Sequence, residues 1–199
     1  MSNINLFVDE DDIQAADAAS QFTFAVPGDA VRRGNLDDPN DDKARATWVQ
    51  KLQIVESKWY EDTTKDKQGN TYPCIVAEVG YQVPPDALRG AEPDLNAGRN
   101  HRAWYRIVPS AMKNKMHPKY KANNFNLGRL HGVVRSIWGS GALPKGTRVD
   151  LSLFFGPKAG DAPAEVVGKF VVATMEGSRY EGKRKDELTD FVPQELQGL

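Results

Sequence analysis

His101-Arg102-Ala103-Trp104-Tyr105-Arg106-Ile107-Val108, stopped by Pro109, alternates as a strand with one face for a core and one for solvent. If Ile107 turns inward, Tyr105 and Ala103 follow it, and Arg102, Trp104 and Arg106 share the opposite face. A basic polar segment, 110–124, comes next. Then Leu127, Leu130, Val134, Ile137 and Trp138 recur at helical spacing, with Trp138 on the apolar side. Asn124 or Asn126 is expected to cap this helix, and Gly139 and Gly141 to end it.

Upstream, 46–59 is a long strand pattern in which Leu52 and Ile54 alternate with polar residues. A polar segment closing on Gly69-Asn70 turns the chain into a second strand, 72–83, with Ile75, Ala77 and Val79 on one face. The two form a hairpin that brings Glu56 and Glu78 close on a solvated face. Residues 84–100 are a loop rich in Pro, Gly and Asp. Downstream, 149–155 and 165–175 are expected as a fourth and a fifth strand. Three strands, a helix and two strands is the chain order of the OB-fold, a mainly β, five-stranded, partly open barrel with one helix between strands 3 and 4. The expected domain spans 45–176. It is flanked by an acidic, largely flexible N-terminal arm, 1–44, and a charged C-terminal tail, 177–199. Within the arm, 13–19 is expected as a short helix, 22–26 as a short strand, and 28–42 as loop.

The net charge of −1 over 199 residues hides a segregation. Residues 1–42 hold ten acids and two bases; the rest of the chain holds 24 bases against 17 acids. From Arg99 to Arg148 there are eleven Lys or Arg, all three histidines, and no acid. Trp104, Tyr105, Tyr120, Phe125 and Trp138 are interleaved with them. Such a segment suits a polyanion partner. Single strands are held by cations along the phosphates and by aromatic faces that stack bases. The candidate nucleic-acid-binding residues are Arg99, Arg102, Trp104, Arg106, Lys113, Lys115, Lys119, Tyr120 and Lys121. The four lysines form a basic flap beside the Arg-Trp-Arg stripe. The cluster Arg179, Lys183, Arg184 and Lys185 can add phosphate contacts.

Other chemistries find little support. The histidine spacings match no metal-ligand pattern, and Cys74 is the only cysteine, so neither a metal site nor any other cofactor is expected. His131 lies at the apolar edge of the helix, as a structural histidine does. Gly177 to Arg184 approaches a phosphate-binding loop but lacks the Ser or Thr that reaches magnesium. No nucleophile elbow, triad spacing or catalytic carboxylate pair stands out, and the chain is not expected to be an enzyme. No membrane span, secretory leader or disulfide is expected, which fits a cytoplasmic protein. The acidic arm either solvates the chain or mimics nucleic acid, covering the basic groove or recruiting replication and recombination proteins.

Over roughly residues 45–193 the chain resembles phage-encoded OB-fold single-stranded DNA-binding proteins of replication and recombination modules. The resemblance rests on Gln53-Ile54-Val55-Glu56-Ser57 before a polar turn with Gly69, and on the helix from Leu127 to Trp138 closing on Gly139. It rests also on Tyr180-Glu181-Gly182-Lys183-Arg184 and Asp190-Phe191-Val192-Pro193. It implies sequence-tolerant binding of single-stranded DNA. One departure is the C-terminus, Gln194-Glu195-Leu196-Gln197-Gly198-Leu199, which is not an acidic tip with a terminal aromatic. Two other functions fit the same charge pattern: a phage structural or adaptor protein binding an acidic partner, and a nucleic-acid enzyme with dispersed carboxylates.

Overall fold

A computed structural model describes residues 4–19, 32–89, 91–142, 148–157 and 162–197. In chain order the elements are β1 (Phe7–Val8), α1 (Glu10–Ala19), β2 (Arg32–Arg33), β3 (Arg45–Lys65), β4 (Thr71–Gln82), β5 (Leu88–Arg89), β6 (Glu92–Pro93) and β7 (Asn100–Ile107). A short 3-10 turn, Pro109–Ala111, leads to α2 (Tyr120–Trp138). Then come β8 (Val149–Asp150), α3 (Ser152–Phe155), β9 (Phe170–Tyr180), β10 (Lys183–Phe191) and a final 3-10 turn, Gln194–Leu196.

Five long strands form one antiparallel sheet in the order β10-β9-β3-β4-β7, with β2 added at the start of β3. The length of β3 makes this order possible. Its first half, Arg45 to Gln53, pairs with β9, and its second half, Gln53 to Lys65, pairs with β4. Between the halves, Ile54 faces Tyr81 and Glu56 faces Gly80, so Val55 is an extra residue in a β-bulge. The bulge changes which parity points inward. Leu52 and Ile54 are buried before it, and Trp59 after it. Between Leu188 and Asp190, β10 has a similar irregularity. It lets both Leu188 and Phe191 face the core.

The inner face collects Ile75, Ala77, Val79 and Tyr81 of β4, Tyr105 and Ile107 of β7, and Val171, Ala173 and Met175 of β9. Against it α2 packs Leu127, Leu130 and Val134 of the stripe that the helical period marks, together with Val133, while Ile137 and Trp138 are partly buried. Burying each such large side chain contributes roughly 1.5–3 kcal/mol. The two edge strands, β7 and β10, are bridged by side chains. Arg99 at the start of β7 pairs with Asp186 of β10 at 3.2 Å. Arg129 of α2 lies over the Tyr105 ring, 5.3 Å from its centroid, and donates to the Leu188 carbonyl. In the core the rings of Tyr81 and Phe191 stand 5.9 Å apart.

Several local expectations differ from the structure. Helix α2 begins at Tyr120, five to seven residues earlier than a cap at Asn124 or Asn126 requires, and no side chain caps it. Its asparagines instead tie it to the end of β7. Asn123 Oδ1 accepts from the Val108 N–H at 2.7 Å, and Asn126 donates to the Arg106 carbonyl at 2.8 Å. Gly139 ends the helix as expected, at φ 85°. The expected fourth strand, 149–155, is two residues of pairing with β1 followed by α3. Leu151 and Phe155 are both buried, four residues apart, and that is a helical period. The last long strand of the expected domain lies at 170–180 and not 165–175. The segment 183–191, read as part of a charged tail, is β10, with charged residues on its exposed face. The 22–26 strand lies outside the described residues.

The described parts of the acidic N-terminal segment pack onto the sheet and α2. Leu6, Val8 and Ala16 join the core, and Trp59 donates its indole N–H to the Ile4 carbonyl at 2.7 Å. Helix α1 covers 13–19, as expected, and starts at Glu10. Asp9 and Asp12 form a reciprocal cap at its start: each carboxylate accepts the other's backbone N–H, at 3.2 Å. Further on, Leu36 and Ala44 are buried. No helix among the described residues is long and apolar enough to cross a membrane.

Candidate nucleic-acid interface

Strand β7 sets the site. Its inward residues Tyr105 and Ile107 are fully buried, so pleating turns Arg102, Trp104 and Arg106 outward. Trp104 is 47% exposed. Register builds three rows across the outer face: Glu56, Gly80 and Arg102; Lys58, Glu78 and Trp104; Tyr60, Val76 and Arg106. Lys58 and Tyr60 were not reached by sequence reading, because only the β3–β4–β7 register puts them beside Trp104.

Charges in these rows are paired locally. Arg102 donates to Glu78 at 2.8 Å and to Glu56 at 2.9 Å, and Lys58 meets Glu56 at 2.7 Å. The Lys58 hydrogen bond, with the nearby Arg102 charge, holds the Glu56 carboxyl below its ordinary range, and Glu56 in turn raises Lys58. Tyr60 donates to Glu78 at 3.3 Å, and partial desolvation beside that carboxylate raises its hydroxyl. Arg102 is thus fixed in place by two carboxylates. Arg106 has no ion pair among the described residues and is exposed. The close approach of Glu56 and Glu78 expected from the hairpin is real, and Arg102 bridges them.

The other candidates divide. Lys113 pairs with Asp9 of the N-terminal segment. Arg99 pairs with Asp186, and at 3.8 Å with Asp37. Lys119 donates to the Lys65 carbonyl near the tip of the β3–β4 hairpin, where the His117 and Tyr72 rings meet edge to face at 4.7 Å. Lys115 and Lys121 are exposed, and Tyr120 is half-buried. The structure therefore brings Arg102, Trp104 and Arg106 onto one face, with Arg99 before them and Lys113 beyond. Elsewhere in the acid-free segment several residues serve the fold: Arg129 and His131 belong to the packed side of α2, and Trp138 lies tilted against Phe154 with centroids 5.4 Å apart.

A second basic cluster lies where β9 and β10 meet the acidic loop 35–42. Arg184 donates to Asp37 at 2.6 Å, to Asp186 at 2.8 Å and to Asn96 at 3.0 Å, and it lies over the Trp48 ring. Arg179, buried, donates to the Asp38 and Gly182 carbonyls. Of the four tail bases, Lys183 and Lys185 are exposed, Lys185 being paired with Glu187. No three His, Cys, Asp or Glu side chains among the described residues are arranged to hold a metal ion. Searches against protein-family models, curated proteins and solved structures return no match to this chain.

Proposed function

We propose that this chain is an OB-fold protein that binds single-stranded DNA with little regard to sequence, in DNA replication or recombination and of phage type. The observation that carries the reading is Trp104, half-exposed on a paired strand between two outward arginines. A base stacked on such a ring gains on the order of 1–3 kcal/mol, and every base has a face to offer. Arg106 supplies an unpaired cation for the backbone, and Tyr60 and Lys58 widen the platform.

The strand order supports the fold half of the reading. With β3, β4, β7, β9 and β10 taken as strands 1 to 5, the order 5-4-1-2-3, with Arg99 beside strand 3 paired to Asp186 of strand 5, is consistent with an OB barrel. Helix α2 lies between strands 3 and 4 in the chain, as that fold requires.

The test is titration of the protein into fluorescently labelled oligo-dT and a matched duplex, read by anisotropy at low and moderate salt. Tight, salt-weakened binding to the single strand and weak binding to duplex is the expected result. Absence of binding to either would overturn the reading and favour an adaptor that docks on an acidic protein.

A further inference from the structure

The basic line along β7 is closed at both ends by carboxylates of the chain's own N-terminal segment. The strand's eight residues span about 26 Å at roughly 3.3 Å each. At its start, Arg99 and Arg184 share two carboxylates: the part-buried Asp186 of β10, at 3.2 and 2.8 Å, and the exposed Asp37 of the N-terminal segment, at 3.8 and 2.6 Å. Beyond its end, Lys113 meets the carboxylate of Asp9. Trp104 and Arg106, between them, stay open. We infer that Asp9 and Asp37 hold the positions that two backbone phosphates take when a single strand lies along β7, so that the N-terminal segment competes with nucleic acid at both ends of the interface. The inference rests on the function proposed above and adds the path of the strand and its internal competitor.

Three features of the structure support it. First, each carboxylate sits on a cation of the candidate interface, and Arg99 and Arg184, which Asp186 holds in place from the β10 side, both present donors to Asp37, a geometry that also serves a phosphate. Second, Asp9, Asp37, Arg99 and Lys113 are all substantially exposed, so a strand can displace these carboxylates without opening the core. Third, the backbone that presents them is fixed independently of the two ion pairs. Asp9 is the cap of α1. Asp37 stands in a loop held by Asn35 N–H to Asp41 at 2.9 Å, Gly182 N–H to Asp42 at 2.8 Å, and the buried side chain of Leu36. Only the side chains need move.

The variant Asp9→Asn, Asp37→Asn tests this. Asn caps helices as well as Asp, and both changes keep shape, so the fold is retained. Removing two exposed competitors is expected to tighten oligo-dT binding roughly threefold to tenfold at low salt. A charge-matched variant, Asp86→Asn with Glu92→Gln, alters two exposed acids that make no ion pair among the described residues, and its affinity is expected within about twofold of wild type. Equal tightening by both double variants, or none by the first, would overturn the competition and leave the proposed function intact. Loss of all binding in wild type and variants alike would overturn both.

Discussion

Removing the Trp104 side chain separates stacking from charge. Trp104→Ala deletes a ring that is 47% exposed, on a strand whose other face is fully packed. Stacking on a fully accessible ring contributes roughly 1–3 kcal/mol. With about half the ring covered by the sheet, the lower part of that range applies, about 1–2 kcal/mol. At 1.4 kcal/mol per tenfold, oligo-dT affinity is expected to fall about fivefold to thirtyfold. Trp104→Phe, which keeps a π-face, is expected to recover part of the loss. The slope of log affinity against log salt should not change, since no phosphate contact is lost. Arg106→Ala should do the reverse: a modest loss at low salt and a slope shallower by about 0.7, the contribution of one phosphate on a single strand. Anisotropy titrations at four salt concentrations, with melting curves to verify folding, read both quantities. A folded Trp104→Ala protein that binds within twofold of wild type at every salt would refute the stacking platform.

Three further predictions concern the scaffold. Tyr81 and Tyr105 are fully buried with hydroxyls 2.9 Å apart, and Tyr81→Phe leaves the Tyr105 hydroxyl unpaired, so it is expected to cost about 1–3 kcal/mol in urea unfolding. A Cβ at Gly177 would stand 2.6 Å from Leu36 Cδ1 and 2.9 Å from Trp48 Cζ3, so Gly177→Ala is expected to cost about 1–3 kcal/mol, with partial recovery when combined with Leu36→Ala. Asp190 is 5% exposed, and burial pushes its carboxyl up to about 6 against the opposing Phe191 N–H and the charges of Arg129 and Arg135. A carboxyl raised in the fold binds its proton more tightly there than in the unfolded chain, so this group's contribution to stability improves as pH falls from about 6 toward 3.8 and is unfavourable above 6. Asp190→Asn is therefore expected to stabilise the protein at pH 8 by about 1–3 kcal/mol and to have no stabilising effect at pH 4. Equal effects at both pH values would refute the assignment to ionisation.

Period and turn chemistry made much of the sheet legible in the sequence. The start of β3, all of β4 and β7 and the end of α2 stand within a residue or two of their expected places, while β3 runs six residues further and α2 starts earlier, because alternation and helical spacing are properties of short windows. The failures have a common cause. In 149–155 an apolar run too short to distinguish strand from helix was settled by the burial of Leu151 and Phe155, a tertiary event. Segment 183–191 reads as charged because its exposed face is charged and its inner face mixes Arg184 and Asp186 with Leu188. Only pairing with β9 makes it a strand. The outward set Arg102, Trp104 and Arg106 followed from one assumption about Ile107. The hairpin pattern already brought Glu56 and Glu78 together, but their meeting with Arg102 and the placing of Lys58 and Tyr60 beside Trp104 depend on register between strands, which a β-bulge shifts.

That register also bears on how binding energy is divided. A platform whose arginines were all free would bind chiefly through phosphates and lose affinity steeply with salt. Here Arg102 is neutralised by two carboxylates, Arg99 by Asp186 of β10 with Asp37 of the N-terminal segment, Lys113 by Asp9, and Lys119 is directed to a backbone carbonyl. The net charge of −1 provides no long-range attraction to a polyanion. What remains open on β7 is one ring and one guanidinium, Trp104 and Arg106, so stacking should outweigh charge. A wild-type salt slope of about −2 or shallower in magnitude, fitting two or three neutralised phosphates at roughly 0.7 each, follows from this pairing; a slope near −5 would mean that the internal carboxylates yield to the strand at many more positions than Asp9 and Asp37.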